Sequence, residues 1–160
     1  MDEENQVRSF SKFKQEAEKA NIIFNKNYLK TEYNTAILNS QSAAQWQSFD
    51  DEDILQYSAV MDSRTRPEHA RLNGLQLKKS DSLWNSIMPQ NSWGCRCHVL
   101  VVPDGKVSKL STKQRASYKK DVDKDFRFNP GSTGMLFPKD HTYLKALTKV
   151  DKIAIDKLVD

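Results

Sequence analysis

Apolar residues in the first third of the chain recur at the spacing of one face of an α-helix. The first such stripe comprises Phe10, Phe13, Ala17, Ala20 and Phe24, and the second comprises Tyr33, Ile37, Ala44 and Trp46. Glycine and proline are absent from Ser9 to Phe49, and only the polar stretch Asn25–Asn27 interrupts the pattern. We therefore predict two helices, or one bent helix, that form an N-terminal arm over residues 1–50.

After this arm the apolar pattern changes its period to two. Apolar and mostly polar residues alternate over Leu55–Met61, which predicts a strand, and Cys95–Val102 is the most strand-like segment of the chain. Between these strands, Pro67 suits the first position of a short helical turn, and Gly74 suits its C-terminal stop. The segment 75–94 has no clear period, so we predict that most of it is loop.

The last third of the chain has a mixed pattern. Ser111–Asp125 has the composition of a helix with few apolar anchors, and Phe126–Pro138 carries aromatic residues that we expect to pack back on the core. A final apolar stripe predicts a C-terminal helix over residues 146–160. The predicted class is therefore α+β: the helical N-terminal arm, a compact domain over residues 51–145 with a small β-sheet, and the C-terminal helix.

Composition indicates a soluble chain with a modest core, since 38% of residues are hydrophobic and 29% are charged. There is no apolar run long enough to span a membrane, and the acidic, polar N-terminus is unlike a secretory signal. The net charge of +4 is weak evidence for nucleic-acid binding, because 21 acidic residues are mixed among 25 basic ones.

One segment departs from this mixed charge, because six basic residues occur in it without an acidic one: Lys106, Lys109, Lys113, Arg115, Lys119 and Lys120. A solvated helix face is the more ordinary explanation of such a run. Contact with DNA is the alternative, because closely spaced cations suit a polyanion.

The two cysteines, Cys95 and Cys97, are separated by one residue. A disulfide between them would close a strained ring, so free thiols in a reducing cytoplasm are expected. With His69 and His98 they would supply the four ligands that zinc takes, although His98 adjoins Cys97 and both would rarely face one ion. The alternative is that the cysteines are small buried apolar residues.

Titratable residues crowd the segment after the first predicted strand, where active-site groups often lie: Asp62, Arg64, Arg66, Glu68 and His69. Glu68 or His69 could act as a base, and an arginine could hold a phosphate or an oxyanion. A glycine-rich phosphate loop and a nucleophile elbow are both missing from the sequence. An enzyme therefore stays an alternative hypothesis.

A structural network explains the same residues without catalysis, and it is the interpretation that we favour. Asp62 can cap the turn that follows it. Arg96 points away from the flanking cysteines on a regular strand, and it needs an acidic partner, for which Asp62 or Glu68 is available. Trp84 and Trp93 flank the segment and could cover this network.

Two stretches, YSAVMDSRTRPEHARLNG and LWNSIMPQNSWGCRCHV, closely resemble the signature of the phage Mu F-like minor head proteins, the head morphogenesis family of tailed phages. The stretches YLKTEYNTAILNSQSAAQWQSF and FRFNPGSTGMLFP extend the resemblance over about residues 26–145. The motif positions of this chain are Asp62, Arg64, Thr65, Arg66, Pro67, His69, Gly74, Trp84, Trp93, Cys95, Arg96 and Cys97.

The resemblance implies a minor head protein domain, present in the virion or in the host cytoplasm during assembly. Such a domain would act in head morphogenesis and DNA packaging by binding portal or capsid proteins, and the basic run would contact DNA. It would need no membrane and no small-molecule substrate. The enzyme alternative, a nuclease or an ADP-ribosyltransferase-like toxin using Glu68, His69 and the neighbouring arginines, rests on analogy.

The resemblance also bears on the metal hypothesis. Some relatives carry two cysteines in the first motif and a histidine ahead of the cysteine pair. In this chain Arg66 and His69 stand at those two cysteine positions, so at most His69, Cys95 and Cys97 remain of a four-ligand set. We therefore expect a salt-bridge network around Arg66 in place of a cofactor, with zinc at the three remaining residues as the alternative.

Overall fold

The computed structural model of the chain describes residues 9–19 and 26–138. Within them, helices surround a small antiparallel sheet, so the predicted α+β class is confirmed. The predicted C-terminal helix over residues 146–160 lies outside the described residues, and so do Ala20 and Phe24 of the first apolar stripe. Within the described parts of the chain, no helix is both long and apolar enough to cross a membrane.

The N-terminal arm consists of two helices, α1 (Phe10–Lys19) and α2 (Lys26–Ser48). The rings of Phe10 and Phe13 lie with their centroids 5.5 and 5.4 Å from that of Tyr33, so the predicted stripes join α1 to α2. Aromatic pairs at this separation stabilise a contact beyond the area that they bury.

Polar side chains dock α2 against the rest of the protein. Asn39, Ser42 and Gln45 recur every three residues, and they donate hydrogen bonds to the carbonyls of Leu136, Pro89 and Val99 at 2.7, 2.7 and 2.9 Å. Of the predicted apolar stripe, Trp46 is buried, whereas Ala44 is exposed. Because the face of α2 that packs on the rest of the protein carries both polar and apolar residues, apolar spacing alone did not locate it.

The sheet has three strands in the order β2-β1-β3: β1 (Ile54–Ser58), β2 (Gln76–Lys78) and β3 (His98–Val101). Both neighbours of β1 run antiparallel to it. On one face of the sheet, four side chains have relative exposures of 0%: Leu55, Tyr57, Leu77 and Val99. This face forms the centre of the core, which is completed by side chains from α4 (Trp84–Ile87) and from the segment that follows α5.

The segment 75–94 is mostly loop, as predicted, but it also contains strand β2, which is too short to display an alternating pattern. Two predicted strand bounds were wrong. β1 ends at Ser58, and Met61 is 64% exposed. β3 begins only at His98: a turn over Ser92–Cys95, closed by the Cys95 amide that donates to the Ser92 carbonyl at 3.1 Å, comes before it, and Cys95–Cys97 lie outside the sheet.

The short helical segments follow the local signals. Helix α3 (Pro67–Ala70) has Pro67 at its first position, and the turn after it ends at Gly74, whose φ is 79°. Only glycine adopts this left-handed region without steric cost. Helix α5 (Thr112–Asp121) begins with a capping box made by Ser111 and Gln114.

The aromatic segment after α5 packs on the core as predicted. It contains a 3₁₀ turn (Lys124–Phe126) and helix α6 (Pro130–Thr133), and the side chains of Phe126 and Phe128 are buried. Asn129, itself buried, caps α6 by accepting hydrogen bonds from the amides of Gly131 and Ser132.

Candidate functional site

Two segments that are distant in sequence meet at one edge of the sheet. The loop after β1 and the helix α3 that follows it bring Asp62 and His69, and the loop before β3 brings the two cysteines. Pro67 and the left-handed Gly74 set the ends of the α3 turn, and the early end of β1 leaves room for the loop before β3. Residues of the predicted motif thus converge at this edge.

His69, Cys95 and Cys97 form a buried group that we call the Cys–His cluster. Their relative exposures are 3%, 2% and 6%. The Nδ1 atom of His69 lies 3.6 Å from the Sγ atom of Cys95 and 3.9 Å from that of Cys97. One ligand atom from each residue lies within 4.8 Å of the other two, so this cluster could hold a metal ion.

Neighbouring polar residues complete the surroundings of the cluster. The Nε2 atom of His69 lies 3.4 Å from the hydroxyl of Ser92, and the amide of Asn91 donates to the Tyr57 hydroxyl at 3.1 Å. Sequence reasoning did not find Tyr57, Asn91 or Ser92 as site residues. The polar stretch before the cysteines was the only sequence signal that could have pointed to Asn91 and Ser92. Tyr57 gave no signal, because it has the spacing of an ordinary core residue.

The two thiols have opposite pKa shifts because they are hydrogen-bonded to each other. The pKa of Cys95 is lowered, first by the hydrogen bond from Cys97 and then by those from His69 and from the backbone amides of Asn91 and Cys97. Burial opposes this shift. The pKa of Cys97 is raised by its bond to Cys95 and by burial. Burial, together with the cysteine pair, also raises the pKa of Tyr57. The pair therefore favours a thiolate on Cys95.

A second group, beside the cluster, is an ion pair at the surface. Arg96 donates two hydrogen bonds to the carboxylate of Asp62, at 2.6 and 2.8 Å. The pKa of Asp62 is lowered well below its usual range, first by these bonds and then by the amide of Arg64 and the hydroxyl of Thr65, against desolvation. Thr65 also bonds the carbonyl of Val60. Of the two acidic partners predicted for Arg96, Asp62 and Glu68, it is Asp62 that the arginine bonds.

The arginine at the first motif position, for which we expected an acidic partner, bonds a carbonyl oxygen. Arg66 donates to the carbonyl of Trp93 at 3.1 Å, and the Trp93 ring packs edge-on against Phe126 with centroids 5.1 Å apart. Trp84 is placed elsewhere, because its indole N–H donates to the Lys78 carbonyl of β2 at 3.0 Å. Of the two tryptophans that we expected to cover the network, it is therefore Trp93 that contacts it, through the bond from Arg66 to its carbonyl.

The two residues that the enzyme hypothesis offers as a base, Glu68 and His69, lie in different environments. Glu68 is exposed and His69 is buried, although both line a cleft of about 320 Å³. Both ring nitrogens of His69 already face partners, Ser92 on one side and the cysteines on the other. This arrangement does not favour His69 as a base for an external substrate.

The cations of the basic segment differ in their contacts, since some have acidic neighbours and others are exposed. Arg115 donates two hydrogen bonds of 2.7 Å to Asp81, and the charge of Lys119 also acts on Asp81. Lys113 and Lys120 are exposed and lie seven residues apart, so they occupy the same side of α5. The predicted run of six cations therefore does not form a single free surface.

Residues 7–100 match the family described as Phage Mu protein F like protein. The chain is 46% identical over 55 residues to the provisionally named capsid assembly protein F of Escherichia phage Mu, which covers 34% of this chain and 12% of that protein. It is 35% identical over 89 residues to the Mu-like prophage FluMu F protein of Haemophilus influenzae, and this match covers 56% of this chain and 22% of that protein. The matched part is thus a small share of both relatives. No solved structure matches the chain.

Proposed function

This chain belongs to the Phage Mu protein F like family, and from that membership we propose that it is a phage head assembly domain that binds another head protein and acts without catalysis. The name of the phage Mu relative, which refers to capsid assembly, supports the role in the head. The buried and paired state of His69 supports a binding role over an enzymatic one. The partner that we propose is the portal protein of the same phage.

The observation that carries a binding role is the exposure of large apolar side chains on β3 and in the loop after β1. Val60, Met61, Leu100 and Val101 have relative exposures from 36% to 64%. Consecutive strand residues point to opposite faces of a sheet, so Leu100 lies on the face opposite the buried Val99. We call this open face around Leu100 the docking face, and Gln56, which pairs with Leu100, adds a polar neighbour. Apolar contacts framed by polar groups are typical of protein interfaces.

We predict that Leu100→Glu weakens binding to the cognate portal protein by at least about tenfold, because it places a charge where the interface would exclude water. Leu136→Glu is the matched control, since Leu136 is 42% exposed and Leu100 is 43% exposed. Binding is measured by interferometry on immobilised portal, and folding is checked by circular dichroism. Failure of the unchanged chain to bind portal, scaffold and capsid proteins would refute the function.

A second candidate activity is contact with the packaged DNA, and the alignment of Lys113 with Lys120 on α5 favours it. Every residue of α5 is exposed or half-buried, so the helix is accessible along its length. Because Arg115 is bonded to Asp81, the proposal rests on the lysines of the segment.

We predict that the double change Lys113→Glu/Lys120→Glu lowers the affinity for duplex DNA and reduces the slope of log affinity against log salt by up to about 2. Lys12→Glu/Lys30→Glu has the same charge change on the N-terminal arm and should have a smaller effect. Fluorescence anisotropy at several salt concentrations measures both. Equal losses for the two variants would show that net charge, and not this side of α5, determines the affinity.

A further inference from the structure

The interatomic distances in the Cys–His cluster match those of a tetrahedral metal site. With Zn–S of 2.3 Å and Zn–N of about 2.05 Å, two ligands at the tetrahedral angle lie about 3.6 Å apart. The two Nδ1–Sγ distances are 3.6 and 3.9 Å. Small movements of buried side chains would therefore suffice to place one ion between the three atoms.

We propose that His69, Cys95 and Cys97 bind a zinc ion. Two sulfur ligands and one imidazole suit zinc, whereas magnesium and calcium prefer oxygen ligands. Among the residues that the structure describes, this is the group of histidine, cysteine and acidic residues that could hold a metal. Its three residues come from two segments, so the ion would cross-link α3 to the turn that precedes β3.

The orientation of His69 fits this role. Its Nε2 atom faces the hydroxyl of Ser92, at 3.4 Å, and its Nδ1 atom faces both sulfurs. A metal-binding histidine commonly donates its other ring N–H to a neighbouring acceptor, which holds the ring in place and selects the tautomer. Ser92 is buried, at 8% exposure, and is therefore a positioning residue for this site.

Hydrogen-bond donors surround the two sulfur atoms. The amides of Asn91 and Cys97 bond the sulfur of Cys95, and the amide of Val60 and the hydroxyl of Tyr57 bond that of Cys97. Tyr57 accepts a bond from Asn91, which leaves its own hydrogen for the sulfur. Such donors stabilise thiolates in a buried site, because they replace the hydration that burial removes.

A fourth ligand can come from solvent. A cavity of about 20 Å³ adjoins the cluster, and it is lined by the three cluster residues and by parts of Arg66 and Gly94. A single water molecule needs about 10–15 Å³. Two thiolates neutralise the charge of Zn²⁺, so the nearby arginines would not face an uncompensated dication.

The first test is the metal content of the full chain, purified without a histidine tag after growth with added zinc. Inductively coupled plasma mass spectrometry should find about one zinc per chain, and Cys95→Ser, Cys97→Ser and His69→Ala should each lose it. His98→Ala is the matched control, because this exposed histidine directly follows Cys97, and it should retain the zinc. Folded wild-type protein that stays free of zinc after zinc addition would overturn the proposal, and copper in its place would overturn the choice of metal.

The second test needs only the wild-type chain, so it remains decisive if the variants fail to fold. Cobalt(II) is titrated into the metal-free protein and followed by absorption. A tetrahedral site with two thiolates should give a sulfur-to-cobalt band in the near ultraviolet and strong visible bands, which zinc then removes. The weak visible spectrum of octahedral cobalt would overturn the proposal. Neither test depends on portal binding, so the zinc site and the proposed function succeed or fail separately.

Discussion

Replacing Trp84 with alanine is expected to lower the free energy of unfolding by about 3–5 kcal/mol, the range for deleting a large aromatic side chain from a core. Trp84 has 0% exposure, and it is the largest of the fully buried side chains. Its indole N–H also donates to the Lys78 carbonyl at 3.0 Å. Because a domain of this size is stabilised by only about 5–15 kcal/mol, the variant should be largely unfolded or close to it.

Trp84→Phe separates the two contributions. It retains most of the apolar contact but removes the hydrogen bond to β2, which is worth about 1 kcal/mol with a further cost for the carbonyl left unsatisfied. Asn85→Ala is the control, because Asn85 is the exposed neighbour in α4. Urea unfolding followed by far-ultraviolet circular dichroism measures all three variants. A loss below about 1 kcal/mol for Trp84→Ala would contradict the central place of this side chain in the core.

Changing Gly131 to alanine is expected to separate α6 from α2. An added Cβ atom at Gly131 would lie 2.4 Å from the Cβ atom of Trp46 and 2.5 Å from its Cγ atom. Trp46 is 9% exposed, and its ring packs against Phe49, so it has little room to move. Overpacking of this kind costs about 1–3 kcal/mol or more, although alanine itself favours a helix.

Hydrogen exchange along α2 (Lys26–Ser48) is the measurement for this variant, combined with urea unfolding. Exchange should become faster in the half of α2 that contains Trp46, because the bond from Gln47 to the Gly131 carbonyl, 2.7 Å long, is lost as well. Ser132→Ala, at the exposed next position of α6, should have little effect. Unchanged protection of α2 would refute the close contact.

Signals confined to short stretches of sequence predicted much of the fold. The apolar spacing around Phe10, Phe13 and Tyr33 predicted two helices or one bent helix; the structure has two helices, and the three rings join them. Pro67 and Gly74 marked the limits of one turn, because each restricts or permits a backbone conformation whatever surrounds it. The motif identified residues of the site, but it did not predict how they are arranged in space.

Elements that depend on distant partners were missed. β2 has three residues, of which only Leu77 is fully buried, and it is a strand because β1 lies beside it. The face of α2 that packs on the rest of the protein is partly polar, and its residues Asn39 and Gln45 bond carbonyls that are 97 and 54 residues away. Neither feature leaves an apolar period in the sequence, since hydrogen bonds to distant carbonyls depend on the folded backbone.

By itself the sequence determined the family, the α+β class, the helices of the arm and the need of Arg96 for an acidic partner. Each of these depends on local spacing, on composition or on a motif that can be matched directly. Only the tertiary structure decided that β3 begins late and that both sulfurs turn inward to His69, across 26 and 28 residues of chain. The physical reason is that these contacts depend on packing between segments, and local periodicity contains no information about which distant side chains will share a buried space.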